Sequence, residues 1–226
     1  MSNKTRIGSI DTARFLAIAL VFYGHLVEQV MYLDSAAAAA QYKWVYSFHM
    51  PLFYVLSGIV HNERRLTQGW GALLKRIARG RLVPYAVFAL LPAGVALAGV
   101  PGWFPTVDLS STDGYIAGLI STARGLPAFS IPLWFLASLV VLELLHSAVG
   151  RLWRSNTALI AAIIGFYVIG YVFNREVDVL SAGLIIWMAH VVPLGYAFYL
   201  TGILVRRTGV LERSFRPYGV ALGAIA

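Results

Sequence analysis

The sequence predicts an all-α protein, a polytopic transmembrane helix bundle of about six complete spans plus a truncated seventh, with its N-terminus in the cytoplasm. Three observations carry this. Of 226 residues, 59% are hydrophobic and only 12% are charged, and the mean hydropathy is +0.72. A soluble domain is roughly a quarter charged, so an ordinary soluble domain is excluded, and so is a disordered chain. The apolar residues gather in runs close to the ~20 residues that cross a bilayer. The cations fall overwhelmingly on one side of those runs.

Taken in order, the first run covers residues 10–31 and follows Lys4 and Arg6. Asp11, Arg14, His25 and Glu28 interrupt it, and the small residues after Ser35 lie far downstream, so it reads as a retained span and not as a cleaved leader. The alanine run 36–40 reads as a helix end or a short linker. The second span, 45–60, is marginal in length; Pro51 begins or kinks it, and Ser57-Gly58 permits close backbone approach near its cytoplasmic end. A basic segment precedes the third span, 82–100. Residues 101–130 read as a long external loop holding Trp103, Phe104, Asp108, Asp113 and Arg124, an aromatic belt at the interface. The remaining runs are 131–149, 158–173, 179–205 and 217–226. The last has ten residues before the chain stops, so the single membrane-embedded domain, 1–226, is expected to be incomplete at its C-terminus.

Sorting the 18 Lys and Arg by side puts fourteen on the face shared by Lys4, Arg64, Arg151 and Arg206, and three (Lys43, Arg124, Arg175) on the other, with Arg14 inside the first span. The positive-inside rule makes the rich face cytoplasmic. The net charge of +8 is therefore an orientation signal, and nucleic acid is not an expected partner. There are no cysteines, which removes disulfides, thiolate catalysis and Cys-held metals.

Charge inside a membrane is costly, so the first span is the first place to look for chemistry. At about 100° per residue, Asp11, Arg14, His25 and Glu28 fall in one stripe roughly 100° wide. Arg14 and His25 stand about 16 Å apart along the axis. The arginine suits an anionic group and the imidazole suits proton transfer near neutral pH. The competing reading pairs Arg14 with Asp11 or Glu63 and has His25 hydrogen-bond a neighbouring helix. His49 sits near the outer end of the second span. Arg64, Arg65, Lys75, Arg76, Arg79 and Arg81 put six cations in eighteen residues, which suits either anionic lipid headgroups or a polyphosphate. Glu143 and His146 stand three apart and could share a ligand, but no third metal partner is indicated, and no metal site is expected. His190 lies beside Pro193. Nucleophile-elbow, Walker A and dinucleotide-binding motifs are absent.

With these residues in place, the chain resembles the acyltransferase-3 family of integral membrane O-acyltransferases. Asp11, then Arg14, ten residues and His25 look like the R-x10-H motif of its first helix. Phe48-His49-Met50-Pro51-Leu52-Phe53 with Ser57-Gly58, the basic run Arg76–Tyr85 and Pro132-Leu133-Trp134-Phe135-Leu136 are similar to three further family segments. The resemblance implies transfer of an acyl group, acetyl by preference, from cytoplasmic acyl-CoA to a hydroxyl of a cell-surface or exported carbohydrate. Acyl-CoA enters as a co-substrate and no cofactor is bound permanently. It implies His25, Arg14 and Asp11 as catalytic residues and the six cations from Arg64 to Arg81 as the donor site. His49, Glu28 and Trp134 are then expected at the acceptor. The setting implied is the bilayer of a bacterial inner membrane. A transporter or flippase of a lipid-linked sugar is the alternative, although it predicts a repeated half that the sequence does not show.

Overall fold

The computed structural model describes residues 8–98, 107–177 and 186–210, the side chains of Ser9 and Arg65 excepted. Every regular element among them is helical. The helices are α1 (Gly8–Met31), α2 (Ala36–Ile59), α3 (Trp70–Ile77), α4 (Val83–Leu97), α5 (Thr112–Ala123), α6 (Trp134–Val149), α7 (Asn156–Glu176) and α8 (Val192–Thr208). Four stretches are long and apolar enough to cross a membrane: Ile10–Met31, Trp70–Leu97, Ile131–Leu152 and Asn156–Glu176. This confirms the polytopic α-helical class and lowers the span count among the described residues. The expected seventh span lies outside them, as do Trp103 and Phe104.

The differences have local causes. In α2 the Ser35 hydroxyl accepts from the Ala38 N–H, and five alanines then propagate the helix, so the alanine run starts a helix nine residues before the expected span. Pro51 lies inside α2 and does not end it. The outer half of α2 carries Gln41, Lys43, Ser47 and His49, which makes it too polar to count as a span. In the expected external loop, the Ser111 hydroxyl caps α5 through the Gly114 N–H at 3.1 Å. α5 ends at Gly125, whose φ of +88° suits glycine, and a Cβ there would stand 2.4 Å from Trp187 Cα. The basic segment is helical too. α3 and α4 join through a π turn, Ala78–Leu82, in which the Val83 N–H bonds to the Ala78 carbonyl. α8 has 17 residues among those described, and the start of its expected span lies outside them.

The chain divides into two compact units, Met1–His61 with Ala197–Ala226, and Asn62–Tyr196. In the first, α1 packs on α2, and Ile10 joins Leu56 and Ile59 in a small core. α2 also meets α8 at glycines. A Cβ on Gly58 would lie 2.0 Å from the Tyr199 carbonyl oxygen, and one on Gly202 would lie 2.0 Å from that of Val55. The close approach expected from Ser57-Gly58 is therefore realised, and hydrogen there is a steric requirement. In the second unit the Tyr85 hydroxyl donates to the Thr122 carbonyl at 2.7 Å, and Tyr115 donates to Ala93 at 3.0 Å, tying α4 to α5. Trp153 donates to the Tyr196 hydroxyl at 3.0 Å, and that hydroxyl lies 2.9 Å from His146 Nδ1.

Candidate functional site

The α1 stripe resolves into two local pairs, each three residues apart. Asp11 Oδ1 stands 3.6 Å from Arg14 Nη1, with both side chains close to half exposed. About four turns further along the helix, Glu28 Oε2 stands 3.1 Å from His25 Nδ1. Both separations follow from helical geometry, which puts residues three apart on one face. Arg14 thus makes the local pairing that the competing reading anticipates. His25 meets the hydroxyl of Tyr46 on α2, the contact to a neighbouring helix that the same reading anticipates.

α2 completes the arrangement around His25. The Tyr46 hydroxyl lies 3.4 Å from His25 Nδ1 and 3.5 Å from Glu28 Oε2. The Tyr46 ring stands edge-on to His49, with centroids 4.6 Å apart. His49 is buried, and its Nδ1 donates to the Val45 carbonyl at 2.7 Å. Gly24 lets the helices close here, since a Cβ would meet the Tyr46 ring at 3.0 Å. His25, Glu28 and His49 are therefore gathered around Tyr46, a residue that no sequence motif singled out. Glu28, expected at the acceptor, sits on the imidazole instead. An acceptor of hydrogen bonds at Nδ1 fixes the proton on that nitrogen and leaves the lone pair on Nε2. The side chains of His25 and Glu28 keep 35% and 21% of their surface exposed.

The second unit holds the basic segment. Arg64, Lys75 and Arg79 are exposed, while Arg76 and Arg81 are partly buried and turn toward one carboxylate. Arg81 presents Nε at 3.0 Å and Nη2 at 2.8 Å to Glu143 Oε1, and Arg76 Nε stands 3.9 Å from Glu143 Oε2. Arg76 Nη1 also donates to Gln68 Oε1 at 2.8 Å. Glu143 and His146 make separate contacts, Glu143 with the arginines and His146 with Tyr196. Trp134 opens α6 and lines an apolar cavity of about 360 Å³ with Ser121, Leu126 and Met188, apart from the charged cluster.

An imidazole oriented by a carboxylate suits proton transfer to or from a hydroxyl, and paired guanidiniums suit phosphate. Residues 7–226 match the family model described as an acyltransferase domain. The chain belongs to the acyltransferase-3 family. The conclusion reached from four short motifs thus holds over nearly the whole sequence. The chain is also similar to the nodulation protein NolL of Mesorhizobium japonicum (strain LMG 29417 / CECT 9101 / MAFF 303099), with 36% identity over 69 residues. That stretch covers 28% of this chain and 18% of the length of NolL. No solved structure matches.

Proposed function

We propose that this acyltransferase moves an acetyl group from acetyl-CoA, held at the cation-rich face of a bacterial inner membrane, to a hydroxyl of a cell-surface or exported carbohydrate. The observation that carries the reading is the 3.1 Å contact between His25 Nδ1 and Glu28 Oε2. It gives an imidazole whose free nitrogen, Nε2, serves as the base. Nε2 takes the proton of the acceptor hydroxyl as its oxygen attacks the thioester carbonyl. The C–O bond forms and the C–S bond breaks. The imidazolium then returns its proton to the departing CoA thiolate, so the free thiol and an ester are the products. Glu28 favours the imidazolium in the interval, and Tyr46 holds the pair in place. The six cations between Arg64 and Arg81 supply positive charge for the donor phosphates.

The experiment is transfer of label from acetyl-CoA to membrane-associated glycan. Membranes carrying wild type are compared with membranes carrying His25→Ala. Label in the wild type and none in the variant supports the reading. Equal label in both rejects His25 as the base.

A further inference from the structure

Arg76 and Arg81 are five residues apart, which on a regular α-helix sets them about 140° apart around the axis. Two side chains so placed do not share one partner. Here they do, and the cause lies between them. The π turn, Ala78–Leu82, closes over one extra residue, so positions five apart approach the same face. Glu143 of α6, far away in sequence, receives both guanidiniums.

The accounting of groups is uneven. Two cations face one carboxylate, so one positive charge is left over. Arg81 spends Nε and Nη2 on Glu143. Arg76 spends Nη1 on Gln68, while its Nε is buried and makes no hydrogen bond. Charge inside a membrane protein is costly and is usually paired. A second guanidinium, gathered at the cost of an irregular turn and left with a buried donor, suits a site that receives a further anion. π turns of this kind are frequent at functional sites.

We infer that Glu143 is a positioning residue of the donor site. It holds Arg76 and Arg81 side by side across the π turn, so that their remaining N–H groups and the surplus charge receive a phosphate of the acyl donor. The inference rests on the donor reading given above, and it assigns the carboxylate a role that the basic motif does not include.

The test is equilibrium binding of labelled acetyl-CoA to the purified full chain in detergent, set beside dephospho-CoA competition. Glu143→Gln is expected to weaken acetyl-CoA binding about tenfold, the order expected when a charge-assisted contact is lost. The same variant should narrow the preference for acetyl-CoA over the dephospho form, which a merely structural role would not change. Glu143→Asp should restore binding. Unchanged or tighter binding by Glu143→Gln overturns the inference and leaves the donor reading standing. Absence of binding by the wild type overturns the donor reading itself. If Glu143→Gln does not fold, Arg76→Met decides: binding equal to wild type overturns the inference, and about tenfold weaker binding supports it.

Discussion

The polar groups of α1 and α2 and those of the α3–α6 region are both assemblies of charge among apolar helices, yet they are built differently. In the first, each ion pair is made between neighbours on one helix, Asp11 with Arg14 and His25 with Glu28, and the second helix contributes the Tyr46 hydroxyl. In the second, the carboxylate comes from a helix 62 residues away in sequence and collects two arginines that regular helical geometry would separate. The first arrangement leaves an imidazole nitrogen for chemistry. The second leaves surplus positive charge. The comparison teaches that neighbours on one helix set the first arrangement, whereas packing between helices sets the second.

Substitutions can break that division or sharpen it. His25→Ala should reduce transfer by about a hundredfold or more, the usual contribution of a general base, while acetyl-CoA binding stays within twofold of wild type. Steady-state kinetics together with direct binding separate the two effects, and a parallel loss of binding would dissolve the contrast. Gly58→Val should cost about 1–3 kcal/mol, because the new side chain meets the Tyr199 carbonyl, read as a lower thermal unfolding temperature in detergent. Arg81→Ala should raise the KM for the donor about tenfold with little change in kcat, the reverse of the His25 pattern. A fall in kcat alone would place Arg81 in the proton-moving group.

The smallest effect concerns Asp108, outside both regions. Hydrogen bonds from the Ser110 hydroxyl and N–H hold its carboxyl below the ordinary value of 3.8. A group depressed on folding stabilises the fold above its unfolded value, and that contribution fades as the pH falls through the folded value. Asp108→Asn should therefore lower neutral-pH stability slightly, match the wild type at pH values well below about 4, and so flatten the acid limb of a stability–pH curve. Thermal scans of both proteins at neutral and acid pH provide the check.

What the sequence revealed follows the same division. The α1 pairs are legible because a spacing of three is a property of any helix. Ser57-Gly58 is legible because small residues mark close packing, and Gly58 does face backbone. The four motifs led to the right family. Tyr46 was not legible, because nothing in one helix states which ring of the next will meet His25. The grip of Glu143 on Arg76 and Arg81 was hidden for two reasons: the contact is tertiary, and the π turn that permits it has no sequence signature. α5 was missed for want of weight given to Ser111, a good cap sitting among loop residues.

The π turn has a further consequence for the length of the chain. It amounts to one residue inserted into an otherwise continuous helix from Trp70 to Leu97. Deleting a single residue within 78–82 would let the helix close regularly and preserve its span. The same deletion would leave Arg76 and Arg81 four residues apart on a regular helix, about 40° around its axis, so both would stay on one face. The pairing of the cations and the integrity of the span would thus survive the loss of one residue here together. The π turn is the device by which this helix carries an extra residue without turning α3 away from α4.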